Sequence, residues 1–391
     1  MNGALAWPFM RLYLLTLLYF SANAVLNVII PLQGAAWDAS SATVGLIMGA
    51  YMLTTMFFRP WAGRIIQRHG AVKILRMILL LNGAALILYT FTGIGGYIAA
   101  RSLQGVCTAF FSMALQIGII EALPDNDRAQ GISMYSLFSY IPGIMVPFLA
   151  IALWQSGGMP SFSVLLIVIA VATAIFGYTI CSDQQEHPDK NSKAFGGKMA
   201  QRSMWGMFAQ LVKQPALRTC GMLMLSASVV FGAVTAFMPL YAQEVDGANA
   251  GGYLGIQAAV VVAARLFWGK KLPSGARWSA PLIMGMMTLI SLSALSISYA
   301  AGGGAAFLYL GAVPMGIAQA ILYPALTTHL SFVLPAEDRN VLLGLFIATA
   351  DLGISLGGMV MGMVADAANY AQMFIVCAVL GLVMLPVAYR R

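Results

Sequence analysis

Leu123-Pro124-Asp125-Asn126-Asp127-Arg128 closes one long apolar run, and Leu334-Pro335-Ala336-Glu337-Asp338-Arg339 closes another, 211 positions later. A second pair agrees with the first. Arg59 stands four residues before Gly63, and Arg265 four before Gly269, at an offset of 206. A Leu-Pro followed by an acidic-basic turn is a plausible helix stop by itself, which would account for one copy. Two pairs in nearly the same register, each six apolar runs apart, point to a duplicated helical bundle.

The apolar runs between these marks number twelve. Each is about as long as the 20 or so residues needed to cross a bilayer. They fall at roughly 9–32, 43–62, 74–93, 95–120, 131–154, 161–181, 216–242, 250–268, 279–300, 302–330, 340–366 and 369–389. Hydrophobic residues make up 60% of the 391 and charged residues 9%, against roughly 25% charged in soluble domains, so lipid is the solvent for much of the chain. The expected fold is an all-α membrane protein with twelve transmembrane helices in two pseudo-symmetric six-helix bundles. The bundles are expected at 1–181 and 216–391. Between them, 182–215 reads as a cytoplasmic connector carrying Asp183, Glu186, Asp189, Lys190, Lys193, Lys198, Arg202 and Lys213. The first apolar run, from Phe9, is long enough to span and has no small-residue cleavage site, so it reads as a retained helix.

The formal net charge of +8 does not mark a nucleic-acid binder, because the 21 Lys and Arg are scattered in twos and threes between apolar runs. With both termini in the cytoplasm, the inner connections hold Arg64, Arg68, Lys73, Arg76, Arg128, the connector cations, Lys270, Lys271, Arg277 and Arg339. The outer connections then hold Asp38, Glu244, Asp246 and Asp366, and no Lys or Arg. That one-sided distribution predicts a multi-pass protein of the cell membrane with both ends inside. Cys107, Cys181, Cys220 and Cys377 lie in or beside four different apolar runs without CxxC spacing, so neither a disulfide frame nor a metal site is expected. There is no Walker phosphate loop and no visible hydrolytic set, and His69, His187 and His329 all fall at or beyond cytoplasmic span ends. Neither an enzyme nor a cofactor is expected.

The connection after the second span reads Gly63-Arg64-Ile65-Ile66-Gln67-Arg68-His69-Gly70-Ala71-Val72-Lys73. It resembles the loop motif of the major facilitator superfamily, Gly-x-x-x-Asp-Arg-x-Gly-x-x-basic. Gly63, Arg68, Gly70 and Lys73 match, while Gln67 stands where the family usually has Asp. In the family that Asp helps latch the cytoplasmic side in the outward-open state; with Gln67 only a neutral hydrogen bond is available. Arg101-Ser102-Leu103-Gln104-Gly105 is similar to the Arg-x-x-Gln-Gly of the family's proton-coupled members. The antiporter motif Gly-Pro-x-x-Gly-Gly is not present, although Pro142, Gly143 and Pro147 loosely echo it. The stretches from Arg11 to Pro31, Gly49-Ala50-Tyr51-Met52 and Arg101 to Pro124 also resemble bacterial exporters of opine-type metallophores, the staphylopine exporter group.

Charges inside a bilayer cost roughly 2.5–3.5 kcal/mol at mid-helix, which makes them functional candidates. Asp351 lies about a dozen residues into the eleventh span, near the bilayer centre, and is the candidate for loading and releasing a proton. Its bland reading is a protonated Asp bonded to a neighbouring helix, or one facing water without titrating. Glu121 is a second acid, near the cytoplasmic end of span four, where a solvated end is the simpler reading for it and for His329. Arg101, Gln104, Thr108, Ser112 and Gln116 form one polar stripe at helical spacing, which must face the bundle interior. Arg101 then either binds a substrate carboxylate or braces span one. Tyr19, Asn23 and Asn27 form a matching stripe in span one. Gln257 in span eight, with Gln319 and Tyr323 in span ten, would line the other half.

These readings converge on a proton-coupled secondary transporter working by alternating access. The expected cargo is a small zwitterionic or polycarboxylate metabolite, such as an opine metallophore, moved outward. The alternative is a multidrug efflux antiporter for cationic amphiphiles, since a membrane acid suits cations. An integral-membrane enzyme or receptor would need a catalytic set or a ligand domain, and the sequence has neither. The expected partners are the substrate, protons and the lipid bilayer, with the chain acting as a monomer. The topology predicts that Ser192→Cys reacts with an impermeant maleimide only after cells are opened; labelling of intact cells would overturn it.

Overall fold

The computed structural model describes residues 6–123, 125–185, 214–268, 278–335 and 339–389. Most of the expected connector, 186–213, lies outside the described residues. Among the described residues, thirteen helices follow in order: α1 (Trp7–Ala36), α2 (Ser41–His69), α3 (Ala71–Phe91), α4 (Ile94–Ala122), α5 (Asp125–Tyr140), α6 (Pro142–Gln185), α7 (Pro215–Tyr241), α8 (Ala250–Trp268), α9 (Ala280–Gly303), α10 (Ala305–Val333), α11 (Arg339–Ala367), α12 (Tyr370–Val383) and α13 (Leu385–Tyr389).

Eleven helical stretches of the described residues are long and apolar enough to cross a membrane. One of them, Met134–Tyr178, has 45 residues. At about 1.5 Å per residue that is more than twice a hydrocarbon core of about 30 Å. The helix breaks inside it at Gly158, whose φ of 57° and ψ of −143° a side chain would resist. The stretch therefore supplies two crossings, and all twelve apolar runs of the sequence are helical.

The duplicated Leu-Pro signals act by one mechanism. A residue before proline is pushed out of the α region because the proline ring crowds its backbone. Leu123 accordingly ends α4 at φ −101°, ψ 141°, and Leu334 ends α10 at φ −76°, ψ 144°. Each still returns its N–H to the carbonyl four residues back, Ile119 at 3.2 Å and Leu330 at 3.0 Å.

The described chain forms two compact units. The first holds Met1–Leu26 and Leu53–Gln201, the second Asn27–Met52 and Arg202–Arg391. The division thus cuts α1 and α2 partway along. In the first unit α3 packs on α4 and α6. Leu12 and Leu15 of α1, Ile78 of α3, and Phe110, Phe111 and Leu115 of α4 build its buried core.

In the second unit α9 lies against α10 and α12, α8 lies against α10, and α11 runs along α7. Glycines let α11 approach its neighbours to backbone distance. A Cβ on Gly353 would stand 2.6 Å from the Leu225 carbonyl oxygen of α7. On the next face, a Cβ on Gly358 would stand 2.8 Å from the Gly45 carbonyl oxygen of α2, and one on Gly45 would overlap the carbonyl of Gly358. Lipid supplies no hydrophobic drive between helices, so close packing of small residues must hold such a seam.

Its end is polar. Asp366 Oδ1 accepts from the Ser41 N–H at 2.7 Å and Oδ2 from the Ala42 N–H at 2.8 Å. Two of the unsatisfied donors at the start of α2 are thereby capped by a carboxylate from α11, in the sense that the helix dipole favours. The Ser41 hydroxyl also lies 3.0 Å from the Tyr370 hydroxyl.

Gly→Ala raises helix propensity everywhere, so its sign separates contact from propensity. Gly45→Ala should lower stability by about 1–3 kcal/mol through overpacking. Gly344→Ala, on α11 with nothing within 4 Å of its added Cβ, should be neutral or stabilising. Heat-dependent loss of monodisperse protein in detergent measures both, and equal melting of the two variants would show that the seam yields freely.

Candidate functional site

Arg101 lies in the second turn of α4 and is 1% exposed. A guanidinium so deep must be bonded, since it cannot shed its charge. Its Nη1 donates to Asn23 Oδ1 of α1 at 2.8 Å and, more loosely, to Gln104 Oε1 at 3.4 Å. Gln104 Oε1 also accepts from the Tyr89 hydroxyl of α3 at 2.8 Å. Because arginine only donates, both amides present their oxygens to it. The Gln104 oxygen then has both lone pairs engaged.

One turn along, the Tyr19 hydroxyl lies 2.9 Å from Thr108 Oγ1, and the Tyr19 ring stacks on Phe111 at 3.8 Å and 9°. Thr55 of α2 donates to the Gly105 carbonyl at 3.0 Å. Farther on, Ser112 turns back to the Ala109 carbonyl of its own helix at 3.3 Å, and Gln116 is half-buried. The stripe therefore engages α1 and α3 over its first two turns beyond Arg101, while the α4 backbone meets α2 at Gly105. The pairing of Tyr19 with Thr108 and of Asn23 with Arg101 joins two sequence stripes that were read separately. Asn27, one turn beyond Asn23, is half-buried on the part of α1 that belongs to the second unit.

In the second unit, Gln257 Nε2 of α8 donates to Gln319 Oε1 of α10 at 3.0 Å. One turn from Gln319, the Tyr323 ring stacks with Phe346 of α11 at 5.8 Å and 27°. Asp351 stands near the middle of α11 and is 6% exposed. Among the described residues no three His, Cys, Asp or Glu converge on one point.

The loop motif is placed at the α2–α3 connection. Gly63 is buried in α2, while Arg68 and Lys73 are exposed. Gly70 takes φ 85°, the backbone conformation for which glycine is suited. The side chains of Gln67 and Glu121 are outside the described residues. His329 departs from the solvated helix end expected for it. It is 9% exposed, with the Trp278 ring edge-on at 5.0 Å. The Trp278 indole N–H donates to the Ala388 carbonyl at 2.9 Å, which holds that ring in place.

Three groups escaped the reading of the sequence: Tyr89, Thr55 and Phe111. The run 74–93 carries a nearly unbroken apolar pattern, in which a lone tyrosine reads as packing. Only its position one helix before an Arg-x-x-Gln pair marks it. Chemically, the first unit offers a fixed guanidinium, suited to a planar anion such as a carboxylate. The second offers a buried acid near the middle of a helix long and apolar enough to cross a membrane.

Known proteins resemble this chain in sequence and in fold. The profile of the Major Facilitator Superfamily matches residues 12–310. The chain is 48% identical to the staphylopine export protein of Staphylococcus aureus (strain Mu50), over 100% of this chain and 98% of that protein. Its fold is similar to that of a bacterial homolog to the human lysosomal transporter Spinster, in an inward-facing and unoccupied conformation. The TM-score is 0.79 at 14% identity, with 98% of this chain and 96% of that one covered. A mutant form of the nucleoside transporter NupG gives a TM-score of 0.77 at 14% identity, covering 97% and 98%. At that identity the two structures show the fold alone. From fold, profile and full-length likeness together, the chain belongs to the Major Facilitator Superfamily.

Proposed function

We propose that this transporter exports a small polycarboxylate metal chelator of the opine class, such as staphylopine, in exchange for protons. The observation that carries the reading is the buried guanidinium of Arg101, oriented by Asn23 and Gln104. The 48% likeness to a staphylopine export protein supplies the cargo class and the direction. An opine presents carboxylates around a secondary amine, so it needs at least one cationic ligand. Within the first unit Arg101 meets a carboxylate and Gln104, Thr108, Asn23 and Tyr19 supply neutral hydrogen bonds; within the second, Asn27, Gln257, Gln319 and Tyr323 are the substrate-binding candidates. A cationic drug would be repelled by Arg101, which makes the multidrug reading the weaker one.

Alternating access follows from the duplicated halves, 1–181 and 216–391, rocking against each other while 182–215 tethers them on the cytoplasmic side. Gly63, Gln67, Arg68, Gly70 and Lys73 serve the cytoplasmic gate. In the outward-facing state Asp351 takes a proton, and in the inward-facing state it gives the proton up as substrate binds. No nucleotide is needed. The protein works as a monomer in the cell membrane, with both termini in the cytoplasm.

Arg101→Lys keeps the charge and loses the planar fork, so export of staphylopine from cells should fall at least about tenfold at matched expression. Near-normal export would remove Arg101 from the substrate site. Asp351→Asn keeps size and hydrogen bonding but cannot titrate. Proteoliposomes carrying it should lose uphill transport driven by a proton gradient while keeping downhill exchange. If they still concentrate staphylopine on a proton gradient alone, coupling belongs elsewhere, with Glu121 the next candidate.

A further inference from the structure

We propose that Tyr89 is a positioning residue, which sets the plane of the Arg101 guanidinium through Gln104. The inference rests on the reading of Arg101 as a carboxylate ligand. Tyr89 is fully buried, and its ring meets Tyr97 edge-on at 4.9 Å and 84°. Tyr97 is itself 1% exposed, with its hydroxyl directed at the Met159 sulfur at 3.8 Å. The Tyr89 ring therefore has little freedom, and its hydroxyl is delivered to Gln104 Oε1 from a fixed direction.

Gln104 needs that anchor. The terminal torsion of a glutamine is broad and roughly two-fold, so the amide is not oriented by rotamer preference. Its bond to Arg101 Nη1 is the long one, 3.4 Å, whereas its bond from Tyr89 is 2.8 Å. The shorter bond fixes where the oxygen sits, and the guanidinium aligns to it. Asn23 Oδ1 holds the position of Nη1, and the Gln104 oxygen adds a second direction at the same nitrogen. Two acceptors on one nitrogen define the plane of the guanidinium. That plane decides whether a carboxylate is met by two parallel N–H bonds or by one.

Removing the anchor leaves charge and position intact and loosens orientation. Such a loss of preorganisation appears in affinity, because binding must then order the arginine. It leaves the transport steps that follow binding largely alone. A tyrosine that only fills space would act in the opposite way, through stability, and independently of Arg101.

The test uses the full-length protein in proteoliposomes with staphylopine as the probe. Tyr89→Phe should raise apparent KM about five- to tenfold with maximal rate within about twofold of wild type. In the Arg101→Lys background it should add nothing, since its path of action runs through Arg101. Gln104→Met removes the acceptor at similar size, so Tyr89→Phe should add nothing in that background either, whereas a space-filling tyrosine would add its own effect there. An unchanged KM in Tyr89→Phe, or an increase that multiplies with that of Arg101→Lys, would overturn the positioning role while leaving the carboxylate reading intact. An unchanged KM in Arg101→Lys would bring down both.

Discussion

Lipid neither donates nor accepts a hydrogen bond, and the structure of this chain is ordered by that fact. Every backbone amide inside the bilayer must be satisfied within a helix, which leaves long helices as the available spanning element for a sequence of this kind. The same constraint governs side chains. Many hydroxyls inside the spans turn back to carbonyls of their own helix. Thr16 returns to the Leu12 carbonyl at 2.9 Å and Thr173 to that of Ile169 at 2.6 Å. Arg101, which cannot answer itself, recruits side chains from α1 and from its own helix.

Helix number and placement were readable because apolar length is a strong signal and the Leu-Pro stops are chemically explicit. Ends were less so. The sequence places span two at 43–62, whereas α2 continues to His69, because a charged helical end is free to extend into the interface beyond the hydrocarbon. The turn between spans five and six is reduced to Gly158, whose backbone conformation no pattern of hydropathy encodes.

The candidate site was readable in its helical stripes and opaque in its pairings. Spacing of three and four puts Arg101, Gln104 and Thr108 on one face, but nothing in the sequence says that Tyr19 rather than Asn23 meets Thr108. Tyr89 was invisible because its ring belongs to a core and only its hydroxyl to a network. His329 misled for the reverse reason: a polar residue near a span end reads as solvated, and Trp278, distant in sequence, covers it. Contacts between helices decide these matters, and hydropathy along one helix does not carry them.

The glycine seam of α11 has a consequence for reversibility. Where helices meet through interlocking side chains, separating them releases rotamers that must be found again on return. Backbone carbonyls facing glycine carry no such memory, because their hydrogen bonds stay inside their own helices whether or not the neighbour is there. A joint of that sort is low in friction and re-forms in one register, fixed at its end by Asp366 on the Ser41 and Ala42 amides. Along its length the seam is specified by the absence of a methyl group, so a single added carbon is a wedge, and drift in sequence at Gly45 or Gly358 has nowhere harmless to go.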